Sequence, residues 1–122
     1  MLRATGRFVI LHHVGYGRPH WDFMLEQDAS LATWKVYHDL LEVGQEEWEL
    51  LRIGDHRAAY LDYEGALSGG RGEVRRVCSG SYALGEKNSQ AWTVRLSSAA
   101  LAGEFELRLV EGQHWGMRKV GE

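Results

Sequence analysis

The sequence predicts a mainly β protein, a small closed or nearly closed antiparallel barrel of about eight strands with one or two short helices. Fifteen glycines and one proline divide the chain into short pieces, and no long helical period of apolar residues is present. Two stretches, "AWTVRLS" and "GEFELRLV", alternate strictly between apolar and polar residues. Closure into a barrel is favoured because it removes the exposed edges that short strands otherwise leave.

Eight segments fit short strands in chain order. They are residues 7–13, 20–26, 31–37, 48–53, 73–78, 91–97, 103–110 and 114–120. Alternation in the sixth and seventh segments places one apolar set on the core side: Trp92, Val94, Leu96, Phe105, Leu107 and Leu109. Between the strands, "VGQEEWE" predicts a turn or a single helical turn, and "DHRAAYLDYEG" predicts a short helix.

Length and composition restrict the class of protein. A chain of 122 residues predicts one domain, residues 1–122, with a core large enough to fold without a disulfide. The single cysteine, Cys78, excludes an intramolecular disulfide, and no apolar run is long enough for a signal peptide or a membrane span, so we expect a cytoplasmic protein. The net charge of −3 argues against a general nucleic-acid coat protein, which is normally strongly basic.

Potential metal ligands converge at the start of the chain. In "HWDFML", residues two apart share a strand face, so His20 and Asp22 point together while Trp21 points the other way. His13 ends the previous strand, and "VGYGRP" can turn the chain back beside it. Two imidazoles and one carboxylate leave coordination positions open, as a catalytic metal requires. His12 faces the opposite side, because adjacent strand residues alternate.

The ligand set alone leaves the metal open among manganese, zinc and ferrous iron. It also leaves the chemistry open. Two histidines and a carboxylate form the facial triad of ferrous oxygenases, which makes a cupin-like oxygenase one alternative. In those enzymes the third ligand usually lies well downstream of the His-x-Asp pair, whereas here it lies upstream at His13.

Five stretches resemble, in order, the 3'-phosphoesterase domain of bacterial DNA ligase D and its stand-alone relatives. They are "FVILHHVG", "HWDFMLE", "TWKVYHD", "GDHRAAYLDYEG" and "HWGMRKV". The resemblance implies a small β-barrel that binds manganese, or zinc or another divalent ion, and trims 3' ends of DNA or RNA-primed DNA in non-homologous end joining. Members remove a terminal ribonucleoside to leave a 3'-phosphate, and some then remove that phosphate. A separate ligase or polymerase is a candidate partner, and no membrane is implied.

Position by position, the resemblance assigns the metal ligands to His13, His20 and Asp22. It places His56 where the family has a histidine on the scissile phosphate, and Tyr60 where it has a nearby tyrosine. The chain departs from the family at Met24, Gly54 and Trp48, where an arginine, an acidic residue and a basic residue are usual, and at His38, where a lysine is usual. An arginine fork that holds phosphate cannot be imitated by methionine.

Replacement cations for the phosphate can come from other positions. Candidates are Arg18, between the ligands, and three arginines of "GGRGEVRR": Arg71, Arg75 and Arg76. Arg75 and Arg76 face opposite sides if the segment is a strand, so at most one of them faces the site. His38 completes the candidate substrate contacts, while Trp34 and Trp115 are expected in the core rather than under bases.

A non-catalytic module is the remaining alternative. With Met24 and Gly54 in place of charged residues, the same fold would bind DNA ends or a repair partner without cleaving. Turnover of a primer with a 3'-terminal ribonucleotide separates this hypothesis from the phosphoesterase. Dependence on ferrous iron and a keto acid would instead indicate the oxygenase.

Overall fold

The computed structural model describes residues 4–121, and its regular secondary structure is almost entirely strand. All eight predicted strands are present, and a ninth, of two residues, is added. Their bounds are β1 Ala4–Val14, β2 His20–Gln27, β3 Ser30–Val36, β4 Glu47–Arg57, β5 Gly65–Ala66, β6 Glu73–Lys87, β7 Ala91–Ser97, β8 Gly103–Glu111 and β9 His114–Val120. Two short 3-10 helices lie at Ala58–Leu61 and Ser68–Gly70. The described residues include no helix of the length and apolarity needed to cross a bilayer.

Eight strands close into an antiparallel barrel, as the sequence predicted. Neighbours follow the order β1-β2-β3-β4-β9-β8-β7-β6, and β6 pairs back onto β1 to complete the circle. The short strand β5 pairs with the first residues of β6. Closure pairs each of the eight longer strands on both sides, so none of them presents an unpaired edge.

The strand β6 is much longer than predicted, because glycines that read as strand breaks lie inside it. At Gly80 a Cβ atom would lie 2.1 Å from the carbonyl oxygen of Ser97 and 3.0 Å from the ring of Phe8. Glycine is therefore needed there for close approach of neighbouring chain segments, and the strand continues through it. Similarly, β4 extends to Arg57, so the first residues of the predicted helix at 55–65 are strand, and the helix is a single 3-10 turn.

Aromatic side chains fill the barrel interior. Trp34 is fully buried and meets Trp92 and Trp115 edge to face, with ring centroids 5.1 and 5.7 Å apart. Trp34 and Trp115 are thus core residues, as predicted. Of the six side chains assigned to the core in the alternating strands, five are buried: Trp92, Val94, Leu96, Phe105 and Leu107. Leu109 packs against the same core and is half-buried.

A second apolar cluster lies on the outer face of β1 and β2. Here residues 58–72, which we call the covering segment, pack over side chains that point away from the barrel interior. The cluster contains Val9, Leu11, Met24, Leu31, Leu61 and Val74, with Tyr60 and Leu67 at its margin. An ion pair of 2.7 Å between Arg7 and Asp62 joins the covering segment to β1. The outer face that the sequence predicted to be polar is therefore polar at one end only.

Candidate active site

The pairing of β1 with β2 brings the three candidate metal ligands together. His13 lies directly opposite His20, and Asp22 follows two residues later on the same face. One ligand atom from each side chain lies within 4.8 Å of the others, so the cluster could hold a metal ion. His12 points to the other face and stacks on Trp21 at 4.5 Å, as strand alternation predicted.

Backbone carbonyls orient both imidazoles. His13 donates from Nε2 to the carbonyl oxygen of Arg71 at 2.7 Å, and His20 donates from Nδ1 to that of Arg18 at 3.1 Å. Each ring therefore carries its hydrogen on the outside and turns its other nitrogen towards Asp22. Histidines that ligate metals are typically fixed in this way.

The position of Arg71 depends on a glycine. Gly72 has φ +82°, and a Cβ there would lie 2.1 Å from the carbonyl oxygen of Val14. Any side chain at 72 would push the covering segment away from the end of β1. The glycine thus lets the carbonyl of Arg71 reach His13.

Asp22 is the least satisfied polar group of the cluster. It is 4% exposed, and its Oδ1 has no hydrogen-bond partner among the described residues. His20 Nε2 lies 3.3 Å from Oδ1, and His13 Nδ1 lies 4.0 Å from Oδ2. A buried carboxylate oxygen without a donor is costly unless a cation or a proton joins it. The donor set therefore fits a divalent ion bound by two nitrogens and one carboxylate.

The Asp22 carboxylate also affects the pKa of the His20 imidazole. Burial disfavours its charged form, but the Asp22 carboxylate, 3.3 Å from Nε2, and the Arg18 carbonyl together raise the pKa of His20 above its ordinary value. In the metal-free protein a proton on Nε2 occupies the space that a metal ion would take. Proton and metal therefore compete for one position.

A cavity of about 290 Å³ opens beside the ligands. His13, Asp22, His56 and Tyr60 all line it. Its remaining lining residues are Leu11, Met24, Asp55, Arg57, Leu67, Arg71 and Val74. The cavity therefore combines two of the candidate metal ligands with His56, two arginines, a further carboxylate at Asp55 and several apolar side chains.

His56 and Tyr60 come from adjoining elements. His56 lies near the end of β4, and its Nδ1 donates to the carbonyl oxygen of Gly54 at 3.1 Å. Tyr60 lies in the first 3-10 helix, and the two rings meet edge to face with centroids 5.7 Å apart. This arrangement leaves His56 Nε2 without an intramolecular hydrogen bond within residues 4–121, available to a ligand.

Of the candidate phosphate contacts in "GGRGEVRR", Arg71 lines the cavity. Its side chain is anchored by hydrogen bonds from Nε and Nη2 to Ser68. Arg76 pairs across from Leu11, which places it on the face of the site, but its guanidinium lies 3.9 Å from Glu64 and outside the cavity lining. Arg75 is opposite His12, on the other face, in agreement with the expected alternation.

The other two predicted contacts lie at the margin. The Arg18 guanidinium stacks over Tyr37 at 4.1 Å, and Tyr37 in turn meets the ring of His20 edge to face at 6.0 Å. His38 is exposed and lines a separate groove formed mainly by β4, β8 and β9. Neither side chain lines the cavity beside the ligands.

Two cations beside the site were missed by sequence reasoning. Lys35 lies directly across from Asp22 in the β2–β3 pair, and its ammonium makes no hydrogen bond or ion pair within residues 4–121. The two-residue turn at 28–29 fixes that register, so the sequence did carry the signal. Arg57 lines the cavity at the end of β4, a position hidden while those residues were assigned to a helix.

Comparison with known proteins identifies related sequences. Residues 12–109 match the model of the DNA Ligase D 3'-phosphoesterase domain. The chain is 30% identical over 115 residues to the multifunctional non-homologous end joining protein LigD of Mycobacterium bovis, and equally so to the corresponding DNA repair protein of Mycobacterium tuberculosis. These alignments cover 88% of this chain and 15% of each relative. The chain thus spans a small part of the curated relatives it matches.

Proposed function

This chain belongs to the DNA ligase D 3'-phosphoesterase domain family, and on that premise we propose that it is a manganese-dependent phosphoesterase that trims 3' ends of DNA or RNA-primed DNA. The observation that supports this most is the single cavity lined by His13, Asp22 and His56. The relatives are named as end-joining proteins, which supports DNA ends as the substrate and a ligase or polymerase as a partner.

In this proposal the reaction is hydrolysis of the last phosphodiester. Water adds to phosphorus and gives up a proton to the solvent, the bond to the 5' oxygen of the terminal nucleoside breaks, and a 3'-phosphate remains on the shortened strand. His13, His20 and Asp22 would hold the divalent ion, which would supply a Lewis acid for a phosphoryl oxygen. The Arg71 guanidinium, anchored by Ser68, adds a fixed positive charge at the cavity.

His56 is the proposed general acid. Its Nδ1–H is directed to the Gly54 carbonyl, so a second proton on the imidazole would reside on Nε2, the free nitrogen. Donation of that proton to the departing 5' oxygen avoids an alkoxide leaving group. Tyr60 packs against the ring and holds its orientation.

The test is a labelled primer with one 3'-terminal ribonucleotide, incubated with manganese and resolved on a gel that separates phosphate from hydroxyl ends. We expect a manganese-dependent product that ends in a 3'-phosphate. A chain with manganese demonstrably bound and no product of either kind would favour the non-catalytic module instead.

Metal affinity should depend steeply on pH. Because the pKa of His20 is raised, more of the protein carries the competing proton at mildly acidic pH, and affinity should rise as pH increases from about 6 to 8. Calorimetric titration of manganese in two buffers of different ionisation enthalpy should show release of a proton at the lower pH. An affinity that is flat across this range would exclude His20 as a ligand.

Cleavage should stop at the 3'-phosphate. A diester carries one negative charge, whereas a terminal monoester carries nearly two at neutral pH and depends more on an arginine clamp, which Met24 cannot supply. Met24 lines the cavity, so Met24→Arg should preferentially increase phosphate removal, measured on the same gel. Met24→Leu keeps an apolar side chain of similar volume and serves as the control. It should show the wild-type ratio of phosphate removal to ribonucleoside removal. Rapid accumulation of 3'-hydroxyl ends by the wild type would refute the predicted order.

A further inference from the structure

A second cavity, of about 460 Å³, adjoins the site and is lined by Arg57 and residues of the covering segment. It shares Arg57, Tyr60, Leu67 and Arg71 with the cavity beside the metal ligands. Its other lining residues are Ala59, Tyr63, Ala66 and Ser68. The shared residues make the two cavities neighbours, so a molecule held in one can extend into the other.

The walls of the second cavity are mostly apolar and aromatic. Tyr60 and Tyr63 meet edge to face, with centroids 5.9 Å apart, and both line the cavity. Tyr63 is 38% exposed, and its hydroxyl donates to the carbonyl oxygen of Ala66, which fixes the ring within its loop. A rigid, partly exposed aromatic ring is the usual platform for an unpaired base.

Positive charge is concentrated where the cavities join. Arg57 is exposed, and its guanidinium makes no hydrogen bond or ion pair within residues 4–121. Arg71 stands at the same junction with its guanidinium held by Ser68 at 2.8 and 3.0 Å. An apolar aromatic cavity that opens onto cations matches the chemistry of a nucleotide, with phosphate at the junction and the base beyond it.

We propose that the second cavity binds the base of the 3'-terminal nucleoside, the leaving group of the reaction. The proposal rests on the proposed function and deepens it. Direction follows from Tyr60, which lies between His56 and Tyr63: a 5' oxygen beside His56 places its own nucleoside on the Tyr63 side. Stacking uses the face of a base rather than its edge, so the site accepts all four bases.

The catalytic test compares two primers, one ending in an ordinary ribonucleotide and one ending in an abasic ribose. Wild type should cleave the first with a kcat/KM roughly tenfold higher. Tyr63→Ala should lower this preference towards unity, because kcat/KM for the primer that carries a base falls. Tyr63→Phe loses the hydrogen bond to Ala66 but keeps the ring, so it should keep most of the preference. Equal cleavage of the two primers by the wild type would overturn the proposal.

A binding test separates this proposal from the proposed function. A primer with 2-aminopurine as its 3'-terminal base is titrated with protein, because stacking on tyrosine quenches its fluorescence. We expect quenching that Tyr63→Ala removes and Tyr63→Phe keeps, with none when the probe lies five bases inside the duplex. Terminal quenching without cleavage would contradict the phosphoesterase alone, whereas cleavage without terminal quenching would contradict the base site alone.

Discussion

Asp22→Asn should abolish manganese binding and cleavage while the protein remains folded. Asp22 is the carboxylate of the cluster and lies between the inward nitrogens of His13 and His20. Loss of an outer partner of a metal ligand typically lowers affinity about 10- to 100-fold, and loss of a ligand itself should exceed that. Calorimetry with manganese and the primer assay should both show the loss.

The same variant should melt no lower than wild type without metal at a pH near 8. At this pH a smaller fraction of His20 carries the proton that offsets the carboxylate than at neutral pH, and the buried Oδ1 of Asp22 has no hydrogen-bond partner within residues 4–121, so the amide removes an uncompensated charge. Asp28→Asn, in the exposed turn after β2, is the matched control and should keep wild-type affinity. Equal manganese affinity for Asp22→Asn and wild type would remove Asp22 from the ligand set.

Phe105→Ala should cause a large loss of stability. Phe105 is fully buried in the barrel and packs against Trp48 with centroids 6.0 Å apart. Removing a buried aromatic ring typically costs about 3–5 kcal/mol, which corresponds to a fall in Tm on the order of 10–20 °C for a protein of this size. Thermal unfolding followed by circular dichroism measures it.

Val110→Ala on the same strand is the matched control. Val110 is 72% exposed, so truncation removes an apolar side chain without leaving a cavity, and the melting temperature should stay close to that of wild type. An unchanged melting curve for Phe105→Ala would contradict the inward orientation of that strand face.

The barrel could be predicted from sequence because its strands are short and their alternation is local. In β7 and β8 the period of two alone identified the buried face. The length of β6 could not be predicted, because Gly80 reads as a strand break in the sequence. Glycine is needed there to make room for Phe8 of β1 and Ser97 of β7, and the sequence does not show that these strands approach it. The outer cluster was missed for the same reason: alternation shows which residues leave the barrel interior, but not what covers them.

The candidate metal ligands were predictable because two adjacent strands carry all three, and pairing of those strands sets their distance. The residues that other elements contribute near the site could not be placed by strand alternation alone. The role of His56 was expected from family resemblance, since its element was assigned to a helix rather than to β4. Lys35 was missed because its place beside Asp22 depends on the register of a second pair of strands.

The carbonyl of Arg71 makes the covering segment part of the ligand environment of His13. Both the loop and a bound ion would favour the same orientation of this imidazole, so each would stabilise the other by the same free energy. If the proposed cation site is occupied, the ion would protect residues 58–72 against local opening by the same factor by which their closure raises cation affinity. The segment that also borders both cavities would then loosen whenever the ion leaves, so the loss of one ion would disorganise the proposed phosphate and base contacts together.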